Sequence, residues 1–206
     1  MTLRLALIRQ RYRPDGGAER FVSRVIEALQ QDDVELTVIA RSWEALPSAR
    51  LLRCDPFHLG RLWRDRSFAR CACRAAEQHD FDLVQSHERI PCAEVYRAGD
   101  GVHATWLEQR TRVLPAWRAW TMRQNPYHRY LLRTEKALFE SPALRAVICN
   151  SHMVREDILA RFAIDESRVH VIYNGVDMQR FHPRLRGQAQ SLRAALGLPI
   201  DPPLLL

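Results

Sequence analysis

Four places along the 206-residue chain carry residue types suited to chemistry on polar or phosphorylated groups. The first is Gly16-Gly17. Glycine lets a backbone approach a phosphate closely, and a helix that follows offers free N–H groups and the positive end of its dipole. A plain turn that needs positive φ uses the same residues. The second is Ala98-Gly99-Asp100-Gly101-Val102-His103. A carboxylate at Asp100, or the imidazole of His103, suits orienting a hydroxyl or facing a reacting carbon, although Gly-Asp-Gly is also an ordinary turn sequence. The third is His87-Glu88. The fourth is Asn174-Gly175-Val176-Asp177, with Arg180 and Phe181-His182-Pro183 behind it. The guanidinium fork of Arg180 matches phosphate oxygens, with a surface ion pair as the alternative. There is no G-x-G-x-x-G and no Walker A sequence, so dinucleotide and NTPase chemistry lose support.

Several of these places fall just after runs that read as strands, and Gly16-Gly17 ends the polar loop between the first strand and the first helix. Leu3–Ile8, Val34–Ala40, Ala49–Arg53, Leu83–Ser86, Glu94–Ala98, Arg145–Cys149 and Val169–Tyr173 are short, apolar and bounded by polar residues, the form of buried parallel strands. Helical patterns alternate with them. Phe21, Val22, Val25, Ile26 and Leu29 share one face, and Leu59–His79 predicts a long helix with Leu62, Trp63, Ala69, Cys73 and Ala76 inward. His103–Ser141 reads as helical in pieces broken at Pro115 and Pro126. Ser151 caps a helix to Phe162, and Ser191–Leu196 and Pro203–Leu206 suggest a short helix and a further strand. The fold class is therefore α/β, an open parallel sheet with helices on both faces, whose ligands bind at the carboxyl ends of the strands.

Composition agrees: 47% hydrophobic and 27% charged residues can bury a core, and no apolar run approaches the 18 or so residues of a membrane span. The five cysteines form no zinc spacing, and reduced thiols are expected.

The run VICNSHMVREDILARF…RVHVIYNGVDMQRFHP, with its strand, Asn-Ser helix and Asn-Gly-Val-Asp-x-x-Arg-Phe-x-Pro, resembles the N-terminal half of retaining family 4 glycosyltransferases of the GT-B fold. Gly16-Gly17-Ala18-Glu19-Arg20, Arg41-Ser42-Trp43-Glu44 and Ile90-Pro91…Val95-Tyr96-Arg97-Ala98-Gly99-Asp100 narrow the likeness to the subfamily of lipopolysaccharide core glucosyltransferase I and its heptose-chain relatives. The resemblance implies a two-domain enzyme that transfers a hexose with retention, glucose from UDP-glucose being the first choice, to a lipid-linked saccharide. By position it places Asp100 and His103 at the reaction centre. It places Gly16, Gly17, Arg20, Asn174, Asp177 and Arg180 around the substrates. UDP-glucose is a substrate here, and no cofactor or metal is implied, because basic residues and helix N-termini stabilise the leaving diphosphate. Residues 1–186 would form the acceptor-side Rossmann-like domain, and 187–206 a linker into a C-terminal donor domain. The chain stops at Leu206 before the family's Glu-x7-Glu donor motif, so the isolated chain is expected to be inactive.

The net charge of +7 is unevenly spread. From His103 to Arg133 there are six arginines and one acid, Glu108. Trp106, Trp117, Trp120, Tyr127 and Tyr130 are interleaved with Arg110, Arg112, Arg118, Arg123, Arg129 and Arg133. This mixture suits an anionic membrane surface, where each basic residue adds about 1 kcal/mol. Plain packing of the helices and single-stranded nucleic acid are the competing readings, the latter disfavoured by the absence of a recognition motif. The expectation is a cytoplasmic protein, peripheral on the inner face of the cytoplasmic membrane, without a nucleic-acid partner. A non-catalytic membrane-surface module is the alternative.

Overall fold

The computed structural model describes residues 2–11, 33–43, 49–179 and 181–199. They fall into two compact units, Met1–Tyr173 and Asn174–Leu206.

The first unit is built on seven strands: β1 (Leu3–Ile8), β2 (Val34–Ala40), β3 (Arg50–Arg53), β4 (Leu83–Ser86), β5 (Val95–Ala98), β6 (Ala146–Cys149) and β7 (Val169–Val171). Every pairing is parallel and the order is β3-β2-β1-β4-β5-β6-β7. Parallel strands need helical crossovers, which is why apolar strand runs and helical patterns alternate in the sequence. The described helices of this unit are α1 (Gly60–Gln78), α2 (His103–Arg112), α3 (Ala116–Gln124), α4 (Pro126–Phe139) and α5 (His152–Arg161). Pro115 caps α3 and Pro126 opens α4 at its first position, so both prolines start helices rather than interrupt them. The predicted cap at Ser151 is present, its hydroxyl accepting from Val154 N at 3.3 Å.

Side chains alternate across the sheet. Ala6 and Ile8 of β1 join Ile39, Phe68, Ala72, Tyr96, Leu138 and Ile158 in the larger core, while Leu5 and Leu7 pack with Leu36 and Val38 in a second cluster. Two expectations need correction. Trp63 is exposed at 49%, because α1 turns Phe68, Ala69 and Ala72 onto the sheet. Five residues before Phe68, Trp63 lies about 140° round the helix from it. The cysteines are not all thiols either. Cys54 at the end of β3 is joined to Cys71 of α1, and Cys73 of α1 to Cys92 in the loop before β5, leaving Cys149 free and buried. Both pairs have Cα atoms 5.7 Å apart, a normal bridging distance, and together they fasten α1 to the sheet from two sides. No spacing rule exposes partners 17 and 19 residues apart that meet only through tertiary packing.

Arg41, just after β2, fastens α1 a third way. Its buried guanidinium donates to Asp55 at 3.0 Å, to Ser67 Oγ at 2.9 Å and to the carbonyls of Pro56 and Arg64, and it lies over the ring of Phe68. Arg41 and Arg53 hold the Asp55 carboxyl below the usual range.

The second unit contains α6 (Arg186–Ala195), which begins earlier than the sequence pattern suggests. It ends at Gly197 with φ of +65°, where Gly197 N bonds Ala194 O and Leu198 N bonds Arg193 O.

Candidate active site

Strand order reverses between β1 and β4. The chain leaves β1 towards β2 on one side and continues from β4 towards β5 on the other, so a crevice opens at their carboxyl ends. A cavity of about 320 Å³ lies there. Arg9, Gln10 and Arg11 reach it from the end of β1, Glu88, Arg89 and Ile90 from the end of β4, and Asp100 from the end of β5. Its remaining walls are Arg64, Asp65 and Phe68 of α1 and Tyr127, Tyr130 and Leu131 of α4.

The carboxylates of this cleft are wired. Asp65 accepts from Arg64 Nε at 2.8 Å, Gln10 Nε2 at 3.2 Å and Tyr127 Oη at 2.9 Å. Glu88 accepts from the backbone N–H of Gln10 at 3.0 Å and lies 3.6 Å from Arg9. Burial pushes the Glu88 carboxyl above the usual range, opposed by Arg9 and the Gln10 N–H. Its neighbour His87 is buried, and desolvation, with the charges of Arg97 and Arg9, holds its imidazole down at about 3. It is therefore neutral at physiological pH.

The Gly-Asp-Gly turn is both a turn and a site element. Gly101 has φ of +69°, which favours glycine, and a Cβ at Gly99 would come within 2.7 Å of the Arg97 guanidinium. Between them Asp100 faces the cavity. The turn is held from behind. Glu135 of α4, 1% exposed, accepts from the backbone N–H groups of His103 and Ala104 at 2.7 and 3.2 Å, and from Arg89 Nε at 3.0 Å. Arg89 also donates to Gly101 O at 2.8 Å, and Asn150 donates to Gly99 O at 3.0 Å. A carboxylate at the first turn of α2 takes up free N–H groups and favours the helix dipole.

His103 is not among the described residues lining the cavity. Its ring stacks on Trp106 with centroids 5.4 Å apart, and its Nε2 is 3.1 Å from His128 Nδ1. Burial, together with Arg89 and His128, holds it at about 4, so it is a neutral hydrogen-bonding group near pH 7. Asp177 belongs to the second unit, where its carboxylate accepts from Gln179 N at 3.0 Å and its carbonyl accepts from Phe181 N, closing a turn. Asn174 is exposed at the start of that unit. Gly16, Gly17, Arg20 and Arg180 lie outside the described residues. Tyr127 and Tyr130, assigned from sequence to a surface segment, instead form a wall of the cleft. Asp65, Arg89 and Glu135 carried no local signal, since each acquires its role only where separate helices and loops meet.

The order of these parts along the chain is that of a known family, whose sequence profile matches residues 15–180. The chain belongs to Glycosyltransferase Family 4. It is 36% identical over 64 residues to D-inositol 3-phosphate glycosyltransferase of Xylanimonas cellulosilytica, a match covering 30% of this chain and 15% of that protein. It is 38% identical over 63 residues to alpha-maltose-1-phosphate synthase of Mycolicibacterium smegmatis, covering 30% and 16%. Among solved structures it resembles WaaG, a glycosyltransferase involved in lipopolysaccharide biosynthesis, with a TM-score of 0.77 at 17% identity over 92% of this chain and 51% of that one. A glycosyltransferase of Rickettsia africae aligns with a TM-score of 0.52 at 13% identity over 98% and 51%. The sheet thus has the Rossmann-like α/β fold seen in these glycosyltransferase structures, and this chain spans about half the length of the solved structures it matches.

Beside the cleft, α3 buries no residue. Trp106, Trp117 and Trp120 are exposed, the last two at 63% and 64%, and Arg110, Arg112, Arg118 and Arg123 are exposed with them. No helix among the described residues is long and apolar enough to cross a membrane.

Proposed function

We propose that this chain is the acceptor-side half of a retaining glycosyltransferase that moves a hexose, glucose from UDP-glucose being the first choice, onto a lipid-linked saccharide such as lipopolysaccharide core. The observation that carries this reading is the cleft at the reversal of strand order, where Asp65, Glu88 and Asp100 share one cavity with Arg9, Arg11 and two tyrosines. Carboxylates and tyrosines present the acceptors, hydroxyls and ring faces that saccharide hydroxyls and C–H surfaces use, while the arginines suit phosphate or carboxylate substituents. Asp100 is the carboxylate at the reaction centre, and His103 serves beside it as a neutral hydrogen-bonding group. Gly16, Gly17, Arg20, Asn174, Asp177 and Arg180 are carried forward as substrate-binding residues on the family resemblance. Residues 1–186 make the acceptor-side domain, and 187–206 lead into a donor-binding domain. The reaction needs no metal or cofactor in this reading.

The exposed tryptophans and arginines of 103–133 bring the cleft to an anionic membrane face from the cytoplasmic side, where a lipid-linked acceptor resides. The exposure of Trp117 and Trp120 favours this over plain packing, and it fits a non-catalytic membrane-binding module equally well. Because the donor half is a separate domain, the purified 206-residue chain is expected to transfer no glucose from radiolabelled UDP-glucose to a core-saccharide acceptor. Measurable turnover would overturn the division of labour proposed here.

A further inference from the structure

Helix α1 has a second working face, opposite the cleft. Its residues Arg64, Asp65 and Phe68 line the cleft, whereas Trp63, Arg66, Ser67, Arg70 and Arg74 line a separate groove of about 650 Å³ against the end of β3. Arg53 and His79 complete the groove's polar wall, and no carboxylate lines it among the described residues. Arg66, Arg70 and Arg74 stand at i, i+4 and i+8, all exposed, with no ion-pair partner among the described residues. Like charges at this spacing destabilise a helix. Of the nearby acids, Asp65 faces the cleft, Asp55 pairs with Arg41 and Arg53, Asp80 pairs with Arg4, and Glu77, one turn on from Arg74, makes no ion pair with the row among the described residues. At one end Trp63, in edge contact with Phe57 at 5.5 Å, offers an apolar face. The floor is the Cys54–Cys71 bridge, so the arginine row is presented from a fastened helix.

We infer that this groove is a second anion site, separate from the cleft, which takes a ligand carrying two or more phosphate groups on a saccharide or lipid headgroup. Successive arginines rise about 6 Å along the axis, so the row spans about 12 Å and meets two or three phosphates. Guanidinium groups match phosphate oxygens through paired N–H donors, and Trp63 covers the adjoining ring or chain. A nucleic-acid strand is the poorer fit, because one stacking residue and so short a row serve only a few nucleotides. The site is independent of whether the chain is a transferase half.

The test is calorimetric titration of the full 206-residue chain with fructose 1,6-bisphosphate at low salt. Saturable binding is expected, weakened at least about tenfold, or about 1.4 kcal/mol, in the triple variant Arg66→Gln/Arg70→Gln/Arg74→Gln. It should be retained in the charge-matched control Arg110→Gln/Arg112→Gln/Arg118→Gln. Since the α1 arginines repel one another, that variant should melt no lower than wild type, which excludes misfolding as the cause. No saturable binding, equal loss in both triple variants, or tighter binding of a twelve-residue oligothymidylate would overturn the site. Sedimentation with cardiolipin vesicles, whose headgroup carries two phosphates, separates the two sources. Loss of vesicle binding in the α1 variant puts the phosphate on a headgroup, retention puts it on a saccharide, and both uphold the site.

Discussion

The cleft and the α3 surface are both rich in arginine and aromatic residues, yet they use them in opposite ways. In the cleft and behind it, charges are answered: Asp65 by Arg64, Gln10 and Tyr127, Glu88 by Gln10 N–H and Arg9, and Glu135 by Arg89 and two backbone N–H groups. On α3 no side chain is buried, and Arg118 lies over the ring of its neighbour Trp117. The same residue types are therefore framework in one region and an exposed surface in the other. Substitutions at the cleft should cost stability and function together. Substitutions on α3 should cost only an interaction.

The largest expected effect follows from Glu135. Truncating one partner of a buried ion pair leaves an uncompensated charge, so Glu135→Ala should lose about 3–5 kcal/mol in urea unfolding, with two α2 N–H groups unpaired as well. A loss below about 1 kcal/mol would break the contrast between framework and surface.

Acidification should produce a smaller, graded effect. His87 and His103 are held down at about 3 and about 4 in the folded chain, below the 6.5 or so of an unfolded histidine. Below pH 6.5 the unfolded chain binds protons that the folded chain refuses, so folding stability falls with pH. The slope is at most about 1.4 kcal/mol per pH unit for each histidine, ending near pH 3 and 4. Unfolding midpoints measured from pH 7 to 4.5 should fall, and less steeply in His103→Gln than in wild type. A flat profile in wild type would contradict the buried, neutral histidines.

The smallest effect on the fold belongs to α3. Trp117→Ala/Trp120→Ala should change stability by no more than about 0.5 kcal/mol while lowering sedimentation with anionic vesicles several-fold at low salt. A large loss of stability would return these tryptophans to the core, and unchanged vesicle binding would remove the membrane from the proposal.

Much of this contrast was legible in the sequence as far as local rules reach. Strands β1, β2 and β4 coincide with their apolar runs, and Pro115 and Pro126 fall at helix starts, because strand burial and proline geometry are written in neighbouring residues. Asp100 was legible because a Gly-Asp-Gly turn after a parallel strand must face the carboxyl edge of the sheet. Trp63 was not, since several apolar residues of α1 compete for one face and only the sheet decides which is buried. Tyr127 and Tyr130 read as surface residues from their arginine neighbours, but α4 packs beside α1 and turns them into the cleft. Glu135 and the two disulfides depend on contacts between residues 17 to 46 positions apart, for which no spacing rule exists.

The central claim is that the cleft at the reversal of strand order holds a saccharide acceptor. It is tested most directly by titrating the chain with a lipid-free, heptose-containing core oligosaccharide, comparing wild type with Asp65→Ala and Asp100→Ala by calorimetry. The account predicts saturable binding to wild type, weakened about tenfold or more in either variant while far-UV circular dichroism stays unchanged. Equal affinity in all three proteins, or no binding to wild type, would contradict it.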